Sequence, residues 1–273
     1  MSFIEDLFGV SGKTALVTGA ATGIGRMMAE ALVRAGARVL IASRKGDACA
    51  AVADELNALG ALGSAEGFAG DVATAEGCAR LAETVKARTD RLHILVNNAG
   101  KSWGAPYEEF PFDAWDKVMS VNVAGLFTLT RDMTPLLKAA ATPEDPARVV
   151  NIGSVAGETP TGDLVYSYAA SKAAVHHLTR ILAKELARHQ ITVNALAPGP
   201  FVSNMTKHFM RSEETRAQIA HDCPMGRIGV PSDIQGCILF LCGKGGAYVT
   251  GGVIPVSGGI NVNHGHELFG GVK

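Results

Sequence analysis

Short runs of β-branched and aliphatic residues recur along the chain, each separated from the next by an Ala-rich stretch of helical period. The apolar runs predict strands near residues 14–18, 38–42, 64–70, 93–97, 148–152, 191–196 and 252–256. Most are apolar at nearly every position, the pattern of strands covered on both faces. The segments between them predict helices over 24–35, 49–59, 75–86, 112–139, 168–189 and 232–241. Regular alternation of strand and helix implies an α/β chain with a parallel, doubly wound sheet. Right-handed crossovers favour a Rossmann-type layout. The segment 141–146 (ATPEDP) reads as a surface loop. Residues 201–225 carry no strand signal, and the tail after Gly259 is Gly-rich without assignment. With no linker tract and no repeat beyond the βα alternation, residues 1–273 are expected to form a single domain.

Composition narrows the class. Hydrophobic residues make up 47% of the 273 and charged residues 19%, as in a globular α/β protein. Lys plus Arg is 25 against 26 for Asp plus Glu, a net charge of -1 that offers no case for nucleic acid or a membrane surface as partner. The five cysteines (Cys49, Cys78, Cys223, Cys237 and Cys242) are odd in number and contain no C-x-x-C pair. Reduced thiols are expected, with no disulfide and no metal site. The first residues, MSFIEDLFGVSGK, carry acids where a signal peptide carries bases, and no stretch is apolar enough to span a bilayer. The expected location is cytoplasmic.

Candidate chemistry begins where the first strand ends. Thr18-Gly19-Ala20-Ala21-Thr22-Gly23-Ile24-Gly25 joins strand to helix. Gly19 permits a tight turn, Gly23 a close approach of backbone to a pyrophosphate, and Gly25 close packing of helix on sheet. Free amides at the helix N-terminus would face the phosphates. At the end of the second strand, where an acid would bind the ribose of NAD, the chain has Ser43 and Arg44. A guanidinium suits a 2′-phosphate, so NADP(H) is the expected cofactor. Asp71 and Val72 end the third strand, where they would meet the adenine. Asn98, Ala99 and Gly100 end the fourth at the carboxyl edge, where ligands bind in open parallel sheets.

Tyr168 and Lys172 lie four residues apart and so share a helix face. Ser154 ends the fifth strand, and Asn122 sits between apolar turns of a helix. Ketone reduction needs a proton donor and groups that stabilise the developing alkoxide. Tyr168 would be the acid/base and Lys172 its electrostatic partner, lowering the phenol pKa. Ser154 would anchor the carbonyl, and Asn122 would hold a water or the lysine. Taken singly, Ser154 reads as a turn cap and Asn122 as a helix cap or bend. Tyr166 rivals Tyr168 but has no lysine four residues on.

Together, TGAATGIG, NNAG, the Asn122 helix, Ser154, YAASK and Pro198-Gly199 resemble the short-chain dehydrogenase/reductase family over about residues 12–259. The resemblance implies one Rossmann domain with seven strands in the order 3-2-1-4-5-6-7. It implies cofactor contacts at Gly19, Gly23, Ile24, Gly25, Asn98, Tyr168, Lys172, Pro198 and Gly199, and a tetrad of Asn122, Ser154, Tyr168 and Lys172. Thr22 stands where many NADP(H) members have a base, Ser203 where a Thr is frequent beside the nicotinamide amide, and Ser257 where an Asp is frequent. The segments NNAGKSWGAP, RVVNIGSVAG, LAPGPFVSNMT and PMGRIG are similar to those of the rhamnolipid-type 3-oxoacyl-[acyl-carrier-protein] reductases.

That similarity implies an NADPH-dependent reduction of a 3-oxoacyl thioester, with acyl carrier protein as a possible partner. The family's substrate lid corresponds to about 200–225, where Phe201, Met205, Phe209 and Met210 would line an apolar pocket or pack their own helix. Lys207, Arg211 and Arg227 are scattered candidates for a carrier-protein contact. Of His176 and His177, one is expected in the core and the other at the surface. His264 and His266 belong to the C-terminal tail, 260–273. Family members pair the segment 245–259 and neighbouring helices between copies, so the resemblance implies a homotetramer, with a dimer as the alternative. The competing functions are a secondary-alcohol dehydrogenase or carbonyl reductase for a small substrate, and a catalytically silent NADP(H)-binding sensor.

Overall fold

A computed structural model describes residues 2–160, 164–203, 210 and 212–262. Seven parallel strands form one sheet in the order β3-β2-β1-β4-β5-β6-β7, as expected. They are β1 (Thr14–Thr18), β2 (Arg38–Ser43), β3 (Ser64–Ala69), β4 (Ile94–Asn97), β5 (Ala147–Ile152), β6 (Ile191–Pro198) and β7 (Val253–Val256). Alternate side chains of each strand enter opposite cores. Ala15 and Val17 join one face, where α2 (Gly23–Arg34), α3 (Gly46–Asn57) and α9 (Pro231–Cys242) pack. Leu16 joins the other, under α4 (Ala75–Lys86), α6 (Leu126–Ala140) and α7 (Tyr166–Leu186). Burial on both faces explains why these strands read as continuous apolar runs.

Three elements differ from the expectation. The helix expected over 112–139 is α5 (Asp113–Met119), a π-helical segment Ser120–Gly125, and then α6. At that segment the main chain presses on the loop after β3, since a Cβ on Gly125 would lie 2.1 Å from the Val72 carbonyl oxygen. An extra residue per turn there is the usual mark of a π bulge. A short α1 (Phe3–Phe8) opens the chain, closed by a capping box between Ser2 and Glu5. Within 201–225 lies α8 (Glu213–Asp222), capped by Ser212, whose Oγ accepts from the Thr215 amide.

Two further features matter below. At the foot of the sheet Arg148 is only 1% exposed. Its guanidinium reaches Asp145 Oδ1 at 2.9 Å and the Gly243 carbonyl at 3.0 Å, while Lys13 Nζ reaches the same carboxylate oxygen at 2.7 Å. At the far edge, β7 carries Pro255. The carbonyls of Gly252 and Val256 accept from Ala195 and Gly199 of the β6 side. By alternation, the Pro255 nitrogen faces the open edge, where it costs no ladder bond.

Candidate active site

Between β1 and β4 the strand order reverses, and a crevice opens beyond their carboxyl ends. Gly19 and Gly23 have φ of 67° and 59°, the left-handed region that favours glycine. At Gly25 the limit is space, since a Cβ would lie 2.3 Å from Asn98 Nδ2. That amide donates to the carbonyls of Thr18 at 2.9 Å and Gly19 at 3.1 Å. In return Thr18 Oγ1 accepts from the amides of Asn98 and Ala99, each at 3.1 Å. These bonds tie the end of β1 to the end of β4 and hold the crevice at a set width. Thr22 precedes α2 without capping it through its side chain. The first amides of the helix therefore remain available to an anion.

A cavity of about 840 Å³ follows this crevice. One end is walled by Ser43, Arg44, Asp71 and Val72, the middle by Gly19, Thr22, Gly23, Ile24, Gly25, Asn98, Ala99 and Gly100. The other end holds Ser154, Tyr168 and Lys172 with Pro198, Gly199 and Ser203. All the residues expected to meet the cofactor thus line one cavity. Arg44 is exposed at the mouth, while Ser43 Oγ turns to Cys49 Sγ at 3.0 Å. Glycines that leave no side chain in the way, helix amides and a guanidinium fit a phosphorylated dinucleotide.

At the far end β5 delivers Ser154, and the first turns of α7 deliver Tyr168 and Lys172. Ser154 is hydrogen-bonded to Tyr168. Lys172 Nζ lies 5.5 Å from the Tyr168 ring centroid and donates to the Ile152 carbonyl at 2.7 Å. Burial pushes the Lys172 ammonium down to about 8. Burial also raises the Tyr168 phenol above its ordinary value, opposed by the Ser154 bond. The expectation that lysine pulls the phenol down is therefore corrected for the protein on its own. Removal of the phenol from water sets the direction, and only the Ser154 bond opposes it. Tyr166, the rival tyrosine, is off the cavity wall and stacks edge-on with Tyr107 and Phe110 at 5.8 and 5.2 Å.

Asn122 stands one layer back from these groups. It is buried behind the cavity wall, in the π-helical segment. Its Oδ1 accepts from the Lys101 amide at 2.8 Å, and its Nδ2 donates to the Lys101 carbonyl at 3.0 Å and to Ser171 Oγ at 2.9 Å. Those three bonds tie the side chain to the segment after β4 and to α7, and leave one lone pair of Oδ1 free to accept. Ser171 was not singled out from the sequence. It donates in turn to the Tyr168 carbonyl at 2.7 Å and so links Asn122 to the turn of α7 that carries Tyr168. Its place inside Y-A-A-S-K was the available signal.

The substrate end is described only in part. Phe201 lines the cavity and Met210 is buried, but Met205, Lys207, Phe209 and Arg211 lie outside the described residues. So do His264 and His266. Arg227 is held by Asp233 through bonds of 2.6 and 2.9 Å. His176 is buried and His177 exposed, as their adjacency implied. No described helix is long and apolar enough to cross a membrane.

Comparison with known proteins gives the same picture. The family model described as short chain dehydrogenase matches residues 13–214. A rhamnolipids biosynthesis 3-oxoacyl-[acyl-carrier-protein] reductase of Pseudomonas aeruginosa is 45% identical over 255 residues, which are 93% of this chain and 98% of that protein. A gluconate 5-dehydrogenase of Gluconobacter oxydans is 34% identical over 258 residues, 94% and 98% of the two chains. Among solved structures, a Pseudomonas aeruginosa RhlG/NADP active-site complex superposes with a TM-score of 0.90 at 45% identity, covering 94% of this chain and 99% of that one.

Proposed function

Because this chain belongs to the short-chain dehydrogenase family and is thereby an oxidoreductase, we propose that it reduces a ketone to a secondary alcohol with NADPH, and that the ketone is a 3-oxoacyl thioester. One observation carries the reaction: Ser154, Tyr168 and Lys172 converge at one end of a cavity whose other end is marked by Arg44. The relative at 45% identity supports the thioester, and the structural neighbour bound to NADP supports the cofactor.

Bound NADPH supplies the hydride that the carbonyl carbon accepts. Ser154 Oγ donates to the carbonyl oxygen. Tyr168 gives its phenolic proton to that oxygen as the alkoxide forms. A phenol kept protonated by burial is suited to act as an acid, the role reduction demands. Lys172, with a pKa of about 8, still carries its charge at neutral pH and stabilises the phenolate left behind. Arg44, in the place of an acid, favours the 2′-phosphate.

The gluconate dehydrogenase relative supports a second reading, a dehydrogenase of small polar alcohols. Initial rates of NADPH oxidation separate the two, measured with 3-oxoacyl thioesters of graded length beside small keto sugars. A high specificity constant on thioesters upholds the proposal. Turnover of small ketones alone moves the substrate and keeps the chemistry, and cofactor binding without any turnover refutes the enzymatic reading. Arg44→Ala should raise KM for NADPH roughly tenfold or more, the worth of one or two charge-assisted bonds. Its KM for NADH should stay level, and equal effects on both would mean that Arg44 does not read the phosphate. The homotetramer implied by the family resemblance remains a proposal, to be tested by sedimentation against a dimer.

A further inference from the structure

Against the main chain of Ser154 sits the imidazole of His176, one helical turn beyond Lys172. It is 3% exposed. Its Nε2 accepts the backbone N–H of Ser154 at 3.4 Å. The ring has displaced everything else from this spot. A Cβ on Gly153 would lie 2.1 Å from Nε2, and one on Gly157 would lie 3.0 Å from Cε1. Gly153 thus leaves room for the imidazole, while Gly157 is pressed first by the α7 main chain at Lys172 and Ala173 and only then by the ring. Its Nδ1 lies 3.5 Å from Glu158 Oε1 and has no hydrogen-bond partner among the described residues.

We propose that His176, oriented by Glu158, is a positioning residue for the reduction: it grips the Ser154 amide and so aims the Ser154 hydroxyl at Tyr168 and the substrate carbonyl. The inference rests on the ketone-reductase reading for its catalytic consequence, but not for its geometry. An imidazole nitrogen that accepts an N–H cannot carry a proton, so the ring must be the Nδ1–H tautomer, with that proton directed at Glu158. The ring is also neutral, because burial and the nearby charges of Lys172 and Arg180 push it down to about 4. A protonated Nε2 would set two donors against each other and drive the Ser154 main chain away. Displacement of a catalytic group by the order of 1 Å can cost roughly 100-fold in rate.

The test has a spectroscopic arm that needs no substrate and a kinetic arm that does. Long-range ¹H–¹⁵N correlation on the full chain at pH 7 should show His176 as the Nδ1–H tautomer, with Nε2 unprotonated. An Nε2–H tautomer, or an imidazolium, overturns the proposal even if every ketone tried is turned over. In the kinetic arm, His176→Leu removes the acceptor, while His176→Gln places an amide oxygen near the position of Nε2. With whichever ketone is turned over, the leucine variant should lose about 10- to 100-fold in kcat. Its KM for NADPH should be unchanged, since the phosphate loop and Arg44 lie elsewhere. The glutamine variant should recover most of that loss. Wild-type kcat in the leucine variant, or a glutamine variant as impaired as the leucine one, overturns the proposal. If the leucine variant does not fold, the glutamine variant and the tautomer decide the matter. If no ketone is turned over, the proposed function falls while the spectrum still judges His176.

Discussion

Replacing Lys172 with methionine should make the protein inactive and more stable at once. The side chain is 5% exposed, and burial takes its pKa from the ordinary 10.5 down to about 8. At pH 7 the ammonium is charged in both folded and unfolded chains. The shift then measures what folding loses by burying the charge, roughly 3 kcal/mol at 1.36 kcal/mol per pKa unit. Methionine keeps the length and removes the charge. It also strands the Ile152 carbonyl, which now accepts from Nζ, at a cost of about 1 kcal/mol. The expected net gain at pH 7 is about 2 kcal/mol. The sign with pH follows from the proton count. Between pH 8 and 10.5 the unfolded chain binds more protons at this site than the folded one, so wild-type stability rises with pH there. The variant's advantage must shrink over the same window. Urea unfolding of both proteins without cofactor, at pH 7 and pH 10 and at one protein concentration, measures the difference, in which all other titrations cancel. A variant less stable than wild type at pH 7, or an advantage that does not change with pH, would refute the reasoning. Its kcat should fall by orders of magnitude.

Tyr168→Phe should lower kcat about 100-fold or more, by removing the proton donor, and spare NADPH binding measured by fluorescence. Near-normal turnover would sink the assignment. Asp145→Ala leaves Lys13 and Arg148 without their shared counter-ion. It should destabilise by about 2–3 kcal/mol, less than a fully buried pair because Asp145 is half-exposed. Adding Arg148→Met, which also removes the unpartnered Nε and NH1, should restore most of that loss in urea unfolding. An additive double variant would show that the cluster is not coupled.

What could be read in the sequence was local in kind. A strand that runs into glycines and then a helix, or a tyrosine four residues before a lysine, places its groups by backbone geometry alone. The cofactor wall and the Tyr168–Lys172 pair were therefore legible. The π-helical segment was not. One residue more per turn leaves the apolar spacing of 112–139 almost intact, and the Val72 carbonyl that this segment packs against lies some fifty positions earlier. Separations of 21 and 49 residues likewise hid the contacts of Asn122 with Lys101 and Ser171. α8 escaped because it buries none of its residues and shows no apolar stripe, only the Ser212 cap. Arg148 sits inside a run that otherwise reads as apolar. Nothing along the chain announces that its counter-ion is Asp145 and its acceptor the end of α9. The direction of the Tyr168 shift depends on how deeply the phenol is buried, which spacing does not encode.

Pro255 bears on how copies of this chain can meet. An edge strand with free amides is a template on which another strand can add, and a run of such additions is the start of a fibre. Of the two β7 residues whose backbone faces outward, Val253 and Pro255, the second is a proline, so an incoming strand finds a missing donor and a bulky ring. Continuation of the sheet from one molecule into the next is thereby closed off. Contact at this edge must be made through side chains, in a geometry that a few substitutions can retune. An open-ended addition of strands is what such an edge guards against.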